Sequence, residues 1–193
     1  MITRSKCRKK VTPILTTAAM LTLLEGIAHA GELQFDDQVD VGGYTLVKKG
    51  VGVLKYLIYI EAYAGARYTP PGLDPQVILT GTPKRLEVEY DHALKGEDFG
   101  PATYKGLAEY RSEEKNDRLR DRIEYHNSLY VDVKPGDRCA LTHVPGVGTE
   151  LSLNGEPRGV IEGEDFASAL SALWLGDKPF DKRFKLDLLG LNG

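Results

Sequence analysis

Apolar and polar positions repeat with two different periods along this chain, and the order of the blocks predicts its architecture. Over residues 84–90 the alternation is strict: Leu86, Val88 and Tyr90 share one side, Arg85, Glu87 and Glu89 the other. A period of two marks a strand with one buried and one wet face. Residues 56–68 are rich in Tyr, Ile and Ala with Gly65 as the one breaker, and predict a long strand ended by Pro70-Pro71-Gly72. Residues 33–35 and 45–47 predict short strands, with a turn at Val41-Gly42-Gly43-Tyr44. Gly50-Val51-Gly52-Val53 predicts a bulge or a close backbone approach, because glycine weakens strand interiors and tolerates unusual dihedrals.

Helical spacing follows. Residues 97–110 open with acids, which suit a helix N-terminus, and carry Phe99, Thr103, Leu107 and Tyr110. Residues 117–130 place Leu119, Ile123, His126 and Tyr130 on one stripe, opposite a charged face. Strands are expected again at 137–144, 149–153 and 159–162, with turns at Pro145-Gly146 and Asn154-Gly155, the latter a strong hairpin signal. The clearest helix is 165–175, where Phe166, Ala169, Leu170, Leu173 and Trp174 form a stripe and Gly176 stands as the cap. A last helix spans 181–189 and ends at Gly190. Strands adjacent in sequence and helices in blocks predict an α+β fold, a mainly antiparallel sheet covered by helices, rather than alternating βαβ units.

The first thirty residues read as an address. Arg4, Lys6, Arg8, Lys9 and Lys10 precede an uncharged, mostly apolar run at 11–24, and Ala28-His29-Ala30 follows as an A-x-A cleavage site. The run is shorter than the roughly 20 residues that span a bilayer. The expectation is a bacterial signal peptide, residues 1–30, cleaved after Ala30, and a single domain at 31–193 in the periplasm or outside the cell, with no transmembrane segment. Cys7 leaves with the leader, so Cys139 has no internal disulfide partner. The formal net charge of −3 carries no nucleic-acid footprint. HExxH, GxSxG, CxxC and phosphate-loop patterns are absent, and no two histidines lie at metal-ligand spacing. Neither a metal site nor a catalytic set is expected.

Three stretches carry a resemblance: Gly50-Val51-Gly52-Val53 with Tyr63-Ala64-Gly65-Ala66-Arg67-Tyr68; residues 145–155, from Pro145-Gly146-Val147-Gly148 to Asn154-Gly155; and Gly163-Glu164-Asp165-Phe166 with Leu173-Trp174-Leu175-Gly176. In order and spacing they resemble the bacterial branch of the chalcone isomerase-like family, over most of the chain beyond the leader. The resemblance implies an open-faced β-sandwich with a ligand cleft between sheet and helices. Plant enzymes of that family close a flavanone ring with an arginine after a Gly-x-Gly-x run and a tyrosine and an asparagine on the first helix. Here Leu54, followed by Lys55, stands at the first position, and Phe99 and Gly106 fall near the others; a shift of one turn brings in Tyr104. Leucine cannot stabilise an oxyanion, and lysine does not replace a bidentate guanidinium. Non-catalytic members of the family bind fatty acids, and fungal mitochondrial members bind haem.

The expected function is therefore a non-catalytic binding protein for a hydrophobic small molecule, a fatty acid or haem. Two alternatives stand beside it, an isomerase of the chalcone isomerase type and an interaction module without ligand. His126, on an apolar stripe, suits either an axial haem ligand or a core histidine. In residues 56–68, Tyr59, Glu61, Tyr63 and Arg67 share a face whose rings and charges suit a cleft wall, while Ala62, Ala64 and Ala66 make a smooth face for packing under helices. A bulge at Gly65 would reverse Arg67. The candidate ligand-binding set is His126, Tyr59, Glu61, Tyr63, Phe99 and Tyr104. Cys139 reads as a buried structural thiol.

Overall fold

The computed structural model describes residues 34–56, 60–73 and 79–191. The leader and its cleavage site lie outside these residues. Seven strands among them form one sheet: β1 (Gln38–Val41), β2 (Tyr44–Tyr56), β3 (Ile60–Thr69), β4 (Lys84–Tyr90), β5 (Arg138–Val144), β6 (Gly148–Leu153) and β7 (Glu156–Ile161). They run in sequence order across the sheet, and every neighbouring pair is antiparallel. Helices α1 (Gly96–Tyr110), α2 (Glu113–Asp117) and α3 (Arg120–Ser128) come between β4 and β5, and α4 (Glu164–Leu175) and α5 (Lys182–Leu189) follow β7. The architecture is the α+β one that the strand and helix blocks predict.

Turn chemistry explains the tight hairpins. Val41 pairs with Tyr44 across Gly42 and Gly43, at φ 55° and 81°. Leu153 pairs with Glu156 across Asn154 and Gly155, at 52° and 83°. Two successive positive φ values match the right-handed twist of the flanking strands. The expected long strand at 56–68 is instead the meeting of two: β2 runs through Tyr56, which pairs with Ile60 of β3. Nothing in that Tyr/Ile-rich stretch punctuates the reversal. The expected strand at 33–35 is replaced by β1, and Phe35 precedes it as a buried irregular residue. The expected helix at 117–130 is divided; Ser112 caps α2 by accepting from the Lys115 amide, and α3 starts only at Arg120. The last strand of the meander starts earlier than expected, at Glu156, and takes Pro157 at a register shift of this edge strand.

The sheet has two distinct faces. Leu86, Val88 and Tyr90 point toward the helices with Tyr63, Cys139, Leu141 and Leu151. Leu107, Leu119, Ile123, Phe166, Leu170 and Leu173 knit α1, α3 and α4 together above them. On the reverse face, Phe35, Leu46, Ala64, Ala66 and Tyr68 cluster, and Arg138 pairs with Glu89 at 2.6 Å and lies over the Phe35 ring. This corrects the expected orientation of β3, since its alanines pack away from the helices. The residue pairing through Gly65 is uninterrupted, so Tyr63 and Arg67 stay on one face.

Gly50, Gly52 and Gly65 form a trench for α5. A Cβ on Gly50 would stand 2.1 Å from the Asp187 carbonyl oxygen, and one on Gly65 would stand 2.7 Å from the Phe184 ring. The expected close approach is thus the docking of α5, and the expected bulge is also present, between Lys48 and Gly50. Asp181 caps α5 by accepting from the Phe184 amide, and Gly190 ends it in the left-handed region.

Candidate functional site

Between sheet and helices lies a cavity of about 680 Å³, within the range of small-molecule sites. Its floor is the helix-facing side of the sheet, Tyr63, Leu86, Val88, Tyr90, Cys139 and Leu141. Phe99, Thr103 and Gly106 of α1 form one wall, and Leu170, Leu173 and Trp174 of α4 another. Asp98, Lys105 and Glu109 of α1, with Lys55 and Lys178, add charges of both signs to the lining.

The floor and walls are held by ring contacts. Tyr63 meets Tyr90 and Phe184 edge-on at 6.0 and 5.6 Å, and Phe99 stacks on Tyr130 at 4.3 Å. Trp174 Nε1 donates to the Tyr63 hydroxyl at 2.8 Å, tying α4 to the sheet. Burial pushes the Tyr63, Tyr90 and Tyr130 phenols far up, so all three stay neutral. Burial also pushes the Cys139 thiol up to about 12, which keeps it protonated and unreactive at neutral pH.

The expected binding residues separate into three groups. Tyr63 and Phe99 line the cavity. Tyr104 lies on the outer side of α1, exposed, away from the lining. His126 is only 1% exposed and sits behind Tyr130, outside the cavity. Its Nδ1 faces the Asn127 amide oxygen at 3.3 Å and its Nε2 the Tyr130 hydroxyl at 3.5 Å. The ring packs edge-on against Tyr130 and Phe166, and burial lowers its pKa to about 4. This is a neutral core histidine, a correction to its expected place in the cleft, and none of the described histidines lines the large cavity. Tyr59 lies outside the described residues, as does the side chain of Glu61. Sequence reasoning missed Trp174, Tyr90 and Tyr130 as lining residues; their apolar stripes marked them only as core.

A second, smaller cavity of about 30 Å³ adjoins the first. Arg67, Lys84, His143 and Thr149 line it, under Ser171 of α4. Arg67 is 4% exposed, and its Nε donates to the Leu188 carbonyl at 2.6 Å. Burial lowers its pKa to about 10. Lys84 donates to the Thr80 carbonyl at 2.7 Å; burial lowers its pKa to about 8, against the pull of Glu164. His143 is 2% exposed, with Nδ1 at 3.3 Å from the Thr149 hydroxyl. Burial and then Lys84 lower its pKa, while the Gly148 and Gly81 carbonyls and Glu164 oppose the shift. Neither carbonyl completes a hydrogen bond to Nε2, which is buried without a partner.

A single antiparallel meander roofed by helices, with an apolar aromatic chamber between the layers, defines a fold of the open-faced sandwich type. The family model described as chalcone isomerase-like matches residues 28–190, and the chain belongs to that family. Among solved structures it is similar to a fatty-acid binding protein from Arabidopsis thaliana, at 15% identity and a TM-score of 0.60, covering 79% of this chain and 96% of the plant one. No curated protein matches the chain. Leu54, Phe99 and Gly106, the residues the family resemblance sets near the plant enzymes' arginine, tyrosine and asparagine, all line the large cavity.

Proposed function

We propose that this protein is a non-catalytic carrier of a hydrophobic small molecule of the fatty-acid class, held in the large cavity between sheet and helices. The observation that carries this reading is a chamber of about 680 Å³ with an apolar, aromatic floor. The plant fatty-acid binding protein of the same fold supports the ligand class. At the three positions where the plant enzymes carry an arginine, a tyrosine and an asparagine, Leu54, Phe99 and Gly106 bring no guanidinium, hydroxyl or amide; the hydroxyls that line the chamber come from other positions, Tyr63, Tyr90, Tyr130 and Thr103. With His126 walled off behind Tyr130, haem has no axial ligand from that residue. The leader pattern supports a place in the periplasm or outside the cell, and the exported protein should begin at Gly31 by N-terminal sequencing.

The test is direct. An organic extract of the protein purified from its own cells should contain a long-chain acid by mass spectrometry. The stripped protein should bind dodecanoate in calorimetry and turn over no chalcone. An empty extract together with no dodecanoate binding would overturn the reading.

A further inference from the structure

We propose that Arg67 and His143 form a carboxylate pocket behind the large cavity, where the acid group of the ligand seats while its chain fills the aromatic chamber. This rests on the carrier reading and names the chemistry of the ligand's head. Arg67 is buried, yet it makes one hydrogen bond, from Nε to Leu188. Among the described residues its terminal nitrogens have no hydrogen-bond partner and no carboxylate pairs with it. The C-terminal carbonyls of α5 offset only part of a full buried charge. Glu164, the carboxylate acting in this region, acts on Lys84 and His143 rather than on Arg67. His143 adds a buried Nε2 without a partner. Both residues line one cavity of about 30 Å³, room for a carboxylate or about two waters.

The place fits a head group. Leu86, Leu141, Leu170 and Trp174 line both cavities, so the two adjoin, and a change of rotamer among these four side chains lets one molecule reach from the chamber into the pocket. The alternative seat, among the charges of the large cavity, is weaker. Lys55, Lys105 and Lys178 are exposed, and Asp98 and Glu109 lie in the same lining. Exposed pairs are screened, whereas a charge-assisted bond to a buried guanidinium is among the strong ones.

Calorimetry with dodecanoate and dodecanol tests the pocket in the purified protein. The wild type should prefer the acid by about tenfold or more. Arg67→Met should erase that preference while dodecanol still binds, and Arg67→Lys should keep part of it. Should Arg67→Met not fold, His143→Leu reads the same preference and should reduce it severalfold. Carboxyl-13C dodecanoate gives a measurement that needs no variant: the bound acid should titrate below the free acid. Equal affinity for acid and alcohol, an unshifted titration, or a preference that follows Lys55→Ala, Lys105→Ala or Lys178→Ala instead of Arg67 would overturn the pocket and leave the carrier reading standing. Acetate binding at Arg67 that does not compete with dodecanoate would overturn the head-group assignment in favour of a free small anion. Binding of neither dodecanoate nor dodecanol would overturn both readings.

Discussion

His126 shows how one buried side chain ties stability to pH. Its folded pKa of about 4 lies below the ordinary 6.5 because burial disfavours the imidazolium. Between those values the unfolded chain takes up a proton that the folded chain refuses, so stability is lost as pH falls through this window and is fully present above it. The full loss is about 3 kcal/mol, reached near the lower end of the window. His143 shifts in the same direction and adds to the slope. Urea melts between pH 4 and 7 should show the loss, and His126→Gln should flatten the slope without abolishing it. An unchanged slope in the variant would mean that the imidazole already charges in the folded state.

At the scale of elements, α5 depends on what the strands beneath it lack. Gly50 lies under the Asp187 and Leu188 carbonyls, and Gly52 and Gly65 lie under Asp187 and Phe184. A methyl group at Gly50 meets backbone, which cannot swing aside as a flexible side chain does. Gly50→Ala should lift α5 and cost about 1–3 kcal/mol or more, the usual range for overpacking. Hydrogen exchange should localise the damage to Lys182–Leu189, with β5 to β7 protected as before. The glycines were legible as a close approach, but not as the seat of a particular helix, because the partner lies more than a hundred residues away. Local chemistry was easiest to read. Asn154-Gly155 specified its turn, and Gly190 ended α5 as the sequence pattern predicts. The reversal between Tyr56 and Ile60 was hidden because Tyr, Ile and Ala suit strands on both sides of it. The break before Arg120 was hidden for a related reason: Leu119 belongs to the buried stripe on either reading, so the apolar period continues where the helix does not.

Across the whole molecule, one fact of layering decides the site. Tyr63 and Phe99 were legible as lining candidates, but the facing of β3 was not, since both of its sides carry apolar surface. The structure turns Tyr63, Leu86 and Val88 toward the helices, and the space above them remains open as the 680 Å³ chamber. A dedicated chamber links ligand to folding: a molecule that binds only the folded state stabilises it by mass action, by about 2.7 kcal/mol at a hundredfold excess over Kd. Dodecanoate should therefore raise the melting temperature of the wild type in a concentration-dependent way. Leu86→Trp offers a sharp control, because Leu86 lies on the floor and lines both cavities. An indole there takes up part of the chamber at the wall it shares with the smaller cavity. The variant should melt near or above the ligand-free wild type, since added apolar contacts offset the strain of a larger side chain. Its rise with dodecanoate should be smaller than that of the wild type, and its affinity lower. A chamber that merely reflects loose packing predicts a different pair of results: no ligand-dependent rise in the wild type, and a stabilised Leu86→Trp variant with nothing lost.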